Sequence, residues 1–202
     1  MEGYTAGVTT GIGYHHCSYW ANIDFEGSWN AGPITGKPNQ YSEIQEYFLE
    51  GKIGYDFFFL GVALEPYTGF GWDRFINRKD PDGVGLKYRY DKLFVPIGFF
   101  ITGSLQNFDL EFQFEFRPDV YKHLEELGIG LTPKWGYGFR SQLAIKQYFS
   151  LSRGDLSLSW VPFFDWNLFG KVEESNSVGA LFVIPRLERW DLGLRLILGY
   201  EW

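Results

Sequence analysis

Charged side chains that alternate with apolar ones are the residues of this sequence most able to do chemistry. In 108–117 (FDLEFQFEFR) charged or polar residues take every second position, and Arg140, Asp165 and Arg195 stand in similar stretches. Brought together in a poorly solvated space, carboxylates and guanidinium groups either form a structural network of ion pairs or line a polar path. Which of the two they do depends on the elements that position them.

Two counts along the chain converge on Asp165. Counting outward from a turn at 150–155 places Arg140 opposite Asp165, and counting from a loop at 170–188 places Asp165 near Gly193 or Arg195. On the neighbouring stretch, Glu111 lies within a diagonal step of Arg140. We therefore expect Asp165 to lie between two arginines.

A second group of charges follows from a turn at 56–59. This turn places Glu50 near Glu65, with Lys52 diagonal to both. The predicted lumen charge network comprises Glu111, Arg140, Asp165, Arg195, Glu50, Lys52 and Glu65. Small residues of the first strand leave room for Arg195, namely Thr5, Gly7, Thr9, Gly11 and Gly13. Because buried charges are tolerated only when they are paired, a structural plug is favoured over a gated polar path.

The segment His15-His16-Cys17 is the one cluster with metal-ligating side chains. His15 and Cys17 share a strand face, and His123 or a loop carboxylate is a conceivable further ligand. Without a paired CxxC or HxxxH spacing the cluster indicates a polar loop base rather than a metal site, so no metal or cofactor is expected. None of the three histidines has a serine two residues away on the same strand face, which argues against a histidine-dependent catalytic site.

Rings in the first long connection offer a surface for a ligand. They are Tyr19, Trp20, Phe25, Trp29 and Tyr41. We consider a glycan or an apolar compound as the ligand; the alternative is that these rings pack on one another or on lipid headgroups.

Period-two alternation dominates the chain and predicts half-buried β-strands. Eight strands are expected at 3–14, 44–56, 58–75, 86–102, 108–117, 135–149, 156–168 and 190–202. Short links near 56–59, 103–107 and 150–155 alternate with long connections at 15–43, 76–85, 118–134 and 170–188. A change of parity near 90–92 suggests a bulge, and 118–128 (PDVYKHLEELG) reads as a short helix. The pattern predicts one all-β domain over residues 1–202, an antiparallel barrel wound up and down.

Composition bounds the function classes. The 202 residues carry a net charge of −7, which argues against a nucleic-acid binder, and one cysteine excludes an intrachain disulfide. No apolar run reaches the 18 to 20 residues of a transmembrane helix, and no signal-peptide pattern opens the sequence. We expect either a protein that is not exported or a mature form with an added methionine, and the strand pattern favours the second.

The apolar strand faces decide between two kinds of barrel. A soluble lipocalin-like barrel turns them inward around a ligand, whereas a membrane barrel turns them outward. Unbroken apolar rows with bulky rings toward their ends favour the membrane barrel, because the interior of eight strands has no room for so many rings. Lipid-facing residues are predicted to include Phe112, Phe114, Leu158, Trp160 and Leu196. The interface aromatic residues are predicted to be Trp135, Tyr137, Trp166, Tyr200 and Trp202.

Over essentially its whole length the sequence resembles the small bacterial outer-membrane barrels of the OmpA, OmpX and OmpW kind. Its final strand ends in Tyr200-Glu201-Trp202, similar to the assembly signal of these proteins, but Ile197 stands where glycine is usual. The resemblance implies a Gram-negative outer membrane, contact with lipopolysaccharide and recognition by the outer-membrane assembly machinery. It implies no particular activity.

We therefore expect a non-enzymatic membrane scaffold whose loops serve adhesion or surface interaction. The alternatives are a narrow, porin-like passage for ions or small apolar molecules, a lipid-modifying enzyme, and a soluble lipocalin-like binder.

Overall fold

The computed structural model describes residues 4–34, 37–59, 61–78, 88–105, 108–126, 129–133, 135–151, 154–175, 181–184 and 186–201. Within these ranges the chain forms fourteen β-strands and no helix. The strands are β1 (Tyr4–His16), β2 (Tyr19–Ile34), β3 (Lys37–Tyr55), β4 (Phe57–Phe59), β5 (Val62–Arg78), β6 (Tyr88–Phe94), β7 (Ile97–Leu105), β8 (Phe108–Glu126), β9 (Ile129–Leu131), β10 (Tyr137–Leu151), β11 (Gly154–Phe169), β12 (Val172–Ser175), β13 (Leu181–Ile184) and β14 (Leu187–Glu201). Among the described residues no helix is long and apolar enough to span a membrane.

One antiparallel sheet contains all strands except the β12–β13 hairpin. Its hydrogen-bonded path through the described residues runs β1-β2-β3-β5-β6-β8-β10-β11-β14. The strand β7 continues β6 beyond Val95 and Pro96 and lies between β5 and β8, while β4 extends the ladder of β5 and β9 extends that of β8. The sheet therefore has nine successive strand positions, and the expected count of eight is not what the described residues form.

The sheet curves into a closed antiparallel barrel core with its charged side chains inside. Interior positions alternate with exterior ones along each strand, so that Gln113, Glu115 and Arg117 of β8 are almost fully buried. The described backbone ladders end at β1 and β14. Closure between these strands rests on side chains, since Arg195 of β14 reaches past β1 to Glu26 of β2.

Residues 15–43 do not form the expected long connection. They contain β2, whose residues 19–31 pair with the whole of β1, and the start of β3. A tight turn at Cys17 and Ser18 joins β1 to β2, with Cys17 in the left-handed region (φ 56°). In the outward row of β2 the small residues Ala21 and Gly27 interrupt the larger apolar side chains. The two faces of the strand therefore differ only weakly in hydrophobicity, which hides the alternation in the sequence.

The helix expected at 118–128 is wrong over its described part, 118–126. The strand β8 continues through these residues to Glu126, opposite β6. Parity changes where Val120 and Tyr121 both face outward, and the register against β6 shifts between Leu93 and Phe94. This irregularity replaces the bulge expected near 90–92.

Two connections also differ in detail from the expectation. The short link predicted near 56–59 falls later in the chain, because 57–59 is strand β4 and Gly61 supplies the positive φ of the turn into β5. The 170–188 connection contains the β12–β13 hairpin. Residues 79–87, 106–107 and 152–153 lie outside the described residues. The predicted interface residue Trp202 also lies outside them.

The exterior of the barrel carries a continuous belt of exposed apolar side chains. On β14 the belt includes Leu192, Leu194, Leu196 and Leu198, with Leu192 86% exposed. Its members on other strands include Val8, Ile12, Ile23, Leu49, Ile53, Leu64, Phe70, Ile97, Ile101, Phe112, Leu143, Trp160 and Phe164. We call this set the apolar belt.

Aromatic rings border the apolar belt at both ends. At the end with the longer connections Tyr137 packs on Trp166 (ring centroids 5.5 Å apart) and Trp166 packs on Trp190 (6.1 Å). At the opposite end Tyr19 packs on Tyr55 with centroids 4.8 Å apart. Charged side chains appear on the exterior beyond the group of rings at the end with the longer connections. There, Arg74, Asp91, Arg89 and Glu125 form a chain of ion pairs.

Candidate functional site: the charged barrel interior

Asp165 of β11 is the centre of the interior network. Arg140 lies directly opposite on β10 and binds the Asp165 carboxylate through both Nε (2.7 Å) and Nη2 (2.6 Å). From β8, Arg117 Nη1 approaches the other carboxylate oxygen at 3.2 Å. The single charge of Asp165 is therefore shared by two guanidinium groups, and all three side chains are buried.

Glu115 balances the remaining charge of this group. It accepts hydrogen bonds from Arg117 and from the Tyr67 hydroxyl, whose oxygen lies 2.8 Å from Glu115 Oε2. Lys52 Nζ lies 3.5 Å from the same carboxylate oxygen and 2.6 Å from Glu50 Oε2. These contacts link strands β3, β5 and β8 through buried polar atoms, as a low-dielectric interior requires.

One aromatic ring, that of Phe48, contacts both central arginines. The guanidinium carbons of Arg117 and Arg140 each lie 4.8 Å from the centroid of Phe48. Phe94, which is fully buried, approaches Arg117 at 5.4 Å. Cation–π attraction thus supports two like charges at close range, and the rings fill space that water would otherwise occupy.

A further group of charges faces the β1–β14 side of the interior. Arg195 donates to both Glu26 carboxylate oxygens (2.8 and 3.0 Å) and to Gln142 (3.1 Å). The Arg195 guanidinium stacks on Phe163 with 4.1 Å to the ring centroid. A cavity of about 110 Å³ lies beside this group, and Thr9 and Ile197 are among its lining residues.

The interior toward the longer connections is also occupied by paired charges. Arg189 binds Glu46 in bidentate fashion (2.9 and 2.7 Å) and contacts Asp191 at 2.7 Å. Lys92 lies 3.3 Å from Asp73 and donates to Asn167 at 2.8 Å. The Arg189–Glu46 and Lys92–Asn167 contacts join strands that are not neighbours in the sheet, so they cross the lumen, whereas Lys92 and Asp73 are direct partners in the β5–β6 ladder.

The structure brings together some of the predicted network and separates the rest. Arg140 and Asp165 are paired, as are Lys52 and Glu50. Arg195 is not a partner of Asp165, because the β11–β14 register places it opposite Val161. The full predicted set lies on inward faces.

Two predicted carboxylates have other partners than expected. Glu111 pairs with Lys146 at 2.8 Å, since the β8–β10 register places Glu115, not Glu111, opposite Arg140. Glu65 accepts a hydrogen bond from Thr102 and belongs to the part-buried end of the barrel rather than to the Lys52 pair.

The predicted lipid-facing residues, and those predicted interface residues that the structure describes, lie on the exterior. Phe112, Trp160 and Leu196 are exposed, whereas Phe114 and Leu158 are half-buried between neighbouring side chains. Trp135 is 82% exposed. Tyr200 lies near the C-terminal end of β14, at the end of the barrel that carries the short turns.

Several interior residues escaped the sequence reasoning. Glu26 and Asp24 fall within the long connection expected at 15–43, and the ion pairs of Glu115 and Arg117 depend on a strand register that composition does not give. The signal that identifies them is the inward parity of β2, where Trp20, Asn22, Asp24, Glu26 and Ser28 alternate with the exterior row.

The His15-His16-Cys17 cluster is divided between different contacts. His15 Nε2 lies 2.7 Å from Asp56 Oδ2, and His16 stacks on Tyr14. Cys17 is exposed in the turn. Within the described ranges no group of three His, Cys, Asp or Glu side chains is arranged to hold a metal ion.

The ligand surface predicted for the first loop is also wrong, because its described rings lie on strand β2. Tyr19, Phe25 and Trp29 are outward residues of a strand, so they belong to the barrel wall. Trp20 points inward and packs against Tyr67 and Phe100 with centroids 5.7 and 5.6 Å away.

Comparison with known proteins adds no family assignment. No protein-family model matches the chain, and no curated protein is significantly similar to it in sequence.

Proposed function

We propose that this chain is an integral β-barrel protein of a bacterial outer membrane, with a non-enzymatic scaffold role and an interior plugged by side chains. The observation that carries the proposal is the apolar belt. Soluble proteins rarely expose large contiguous apolar patches, whereas a barrel in lipid requires them on its outer face.

The dimensions of the belt support residence in a bilayer. On β14 the outward row runs from Trp190 to Tyr200, which corresponds to about 33 Å along a strand and, at the usual tilt, about 25 Å along the barrel axis. Outer-membrane barrels have an apolar band about 25 Å tall between aromatic girdles. The tryptophan and tyrosine rings at both ends of the belt fit such girdles.

The interior supports a structural plug. Arg117, Phe94, Gln113, Glu50 and Glu115 are among the most deeply buried side chains of the molecule. A wide water-filled channel leaves its lining charges solvated, while these charges are paired across the lumen. The proposed partners are accordingly bilayer lipids, lipopolysaccharide on the outer leaflet and the assembly machinery that recognises a C-terminal strand.

Placing a charge on the belt tests the proposal. Phe112 lies within the outward row of β8, away from the Val120 end of the belt, so Phe112→Arg is expected to destabilise the barrel in a bilayer by about 2 to 4 kcal/mol. The measurement is urea unfolding in lipid vesicles, followed by the heat-modifiable band on a denaturing gel.

A matched variant on the same strand separates membrane depth from general damage. Val120 is 59% exposed and lies outward beside Tyr121 at the end of the belt, so Val120→Arg is expected to cost only about 0 to 1 kcal/mol. If both variants unfold at the wild-type midpoint, or if the wild-type chain folds in water without detergent or lipid, the proposed membrane residence is wrong.

A further inference from the structure

The strands β1 and β14 each have one edge without a backbone partner in the described sheet. β1 pairs with β2 and β14 pairs with β11, and no described ladder joins β1 to β14. An unpaired edge presents a row of N–H and C=O groups that seeks another strand. In a bilayer the cost of leaving such groups unpaired rises to several kcal/mol each.

The directions of these two strands specify what fits between them. They are the first and the ninth positions of an antiparallel path, so they run in the same direction. A single strand inserted between them runs antiparallel to both and brings the number of positions to ten. Bacterial outer-membrane barrels of one chain have an even number of strands, which is the number that lets every neighbouring pair be antiparallel.

Exposure on both sides of the seam points to space for an insertion. Every residue from Ala6 to His16 is exposed, including inward residues such as Thr9 and Gly11, whereas inward residues of β8 are buried. On β14 the inward side chain of Ile197 is 39% exposed. If β1 and β14 were in direct contact, each would cover the other.

We propose that the seam between β1 and β14 is a docking site for one extended polypeptide strand that runs antiparallel to both. Its outward side chains are apolar and continue the belt between Val8 or Ile12 and Leu196. Its inward side chains are small or polar, because they lie beside Thr9, Arg195 and the cavity of about 110 Å³. Only a polypeptide backbone supplies donors and acceptors at the spacing of both edges, which a lipid does not. The proposal concerns the seam and goes beyond the membrane role proposed above.

Cysteine cross-linking measures the width of the seam. In a Cys17→Ser background, Thr9→Cys is combined in turn with Gly193→Cys, Ile197→Cys and Gly199→Cys, so that different registers are sampled. One strand of intervening width separates the Cα atoms by about 10 Å, beyond the 4.4 to 6.8 Å of a disulfide. We expect no pair to oxidise directly and at least one to be bridged by a bifunctional thiol reagent about 10 Å long. A disulfide within the monomer overturns the proposal, and so does cross-linking into a dimer, which assigns the edges to a second copy.

Hydrogen exchange on the unmodified chain tests the occupant without any cysteine variant. The probe is a synthetic peptide with the sequence of β2 (residues 19–34), the strand that already forms an antiparallel ladder with β1. We expect the peptide to slow amide exchange in both β1 and β14 at 1:1 stoichiometry. The control is the same peptide with proline at alternate positions, which lacks the N–H groups of the ladder and is expected to have no effect. Absence of protection, or equal protection by the proline peptide, overturns the proposal.

Discussion

At the scale of single residues, Asp165 has the largest consequence because its carboxylate is shared by two arginines. Arg140 contacts it at 2.6 Å and Arg117 at 3.2 Å. A buried ion pair contributes little net stability, yet removing one member leaves an uncompensated charge in a poorly solvated place. The network therefore makes the identity of the interior residues interdependent.

Replacing Asp165 tests this interdependence. Asp165→Ala is expected to lower the free energy of unfolding by about 3 to 5 kcal/mol. The double change Arg140→Met with Asp165→Leu is expected to cost less, since Arg117 keeps Glu115 and Glu26 keeps Arg195 as partners. Urea unfolding in detergent measures both variants.

The control is a pair near the short turns. Glu111 and Lys146 are partly exposed, so Glu111→Ala is expected to change stability by no more than about 1 kcal/mol. Planar-bilayer current on the same proteins distinguishes plug from passage: a plugged wild type conducts nothing. An unchanged midpoint for Asp165→Ala, together with altered ion selectivity, would instead favour the narrow passage.

Close packing at Phe94 gives a second prediction at this scale. A Cβ added at Gly71 would overlap the fully buried Phe94 ring, so Gly71→Ala is expected to destabilise by about 1 to 3 kcal/mol. Phe94→Leu in the same chain is expected to recover part of this loss by removing the overlapping ring atoms. Gly103→Ala is the control, because its added Cβ meets no atom within 4 Å. Equal midpoints for the two alanine variants would contradict the packing argument.

How much of the interior is predictable from the sequence depends on how local a contact is. The Arg140–Asp165 pair follows from counting across one hairpin, where an error of the turn shifts the register by few residues. The Arg195–Glu26 pair joins β14 to β2, which are not neighbours in the described sheet, so no hairpin count reaches it. Pairings across the lumen require the number and stagger of all strands.

At the scale of elements, the sequence predicts a strand correctly where the two faces of the strand differ strongly in polarity. The prediction fails where this difference is weak. The alternation in Phe108 to Arg117 is unambiguous, and the strand forms as expected. Beyond it, the parity change at Val120 and Tyr121 brings apolar residues to helix-like spacing, which explains the expected helix in 118–128. The small residues of β2 hide a strand for the opposite reason, because they weaken the contrast between faces.

Removing β2 tests its role as part of the wall. Deletion of Tyr19–Ile34 is expected to abolish the folded, heat-modifiable band, because both the β1–β2 and the β2–β3 ladders are lost. Replacing the β12–β13 hairpin by a short Gly-Ser linker is the matched control and is expected to retain the band, since this hairpin forms a separate sheet. A folded band after loss of β2 would return residues 19–34 to the status of a loop.

At the scale of the whole molecule, the barrel places apolar surface outside and paired charge inside, the reverse of a soluble fold. Composition and period two indicate this inversion before any contact is known, because 20% of the residues are aromatic and exceed what a narrow interior can hold. The position of each strand in the barrel, and hence the seam between β1 and β14, is set by the missed strand and was not predictable from those signals.

Spin-label accessibility along β11 tests the central proposal, that the apolar belt lies in hydrocarbon, most directly. In a Cys17→Ser background, single labels replace Leu158, Trp160 or Phe164 on the outward face, with Ser157 on the inward face as control. In lipid vesicles we predict that the outward labels collide frequently with dissolved oxygen and rarely with a water-soluble nickel complex, with the largest ratio at Trp160. Frequent collisions of all three outward labels with the nickel complex would contradict the account.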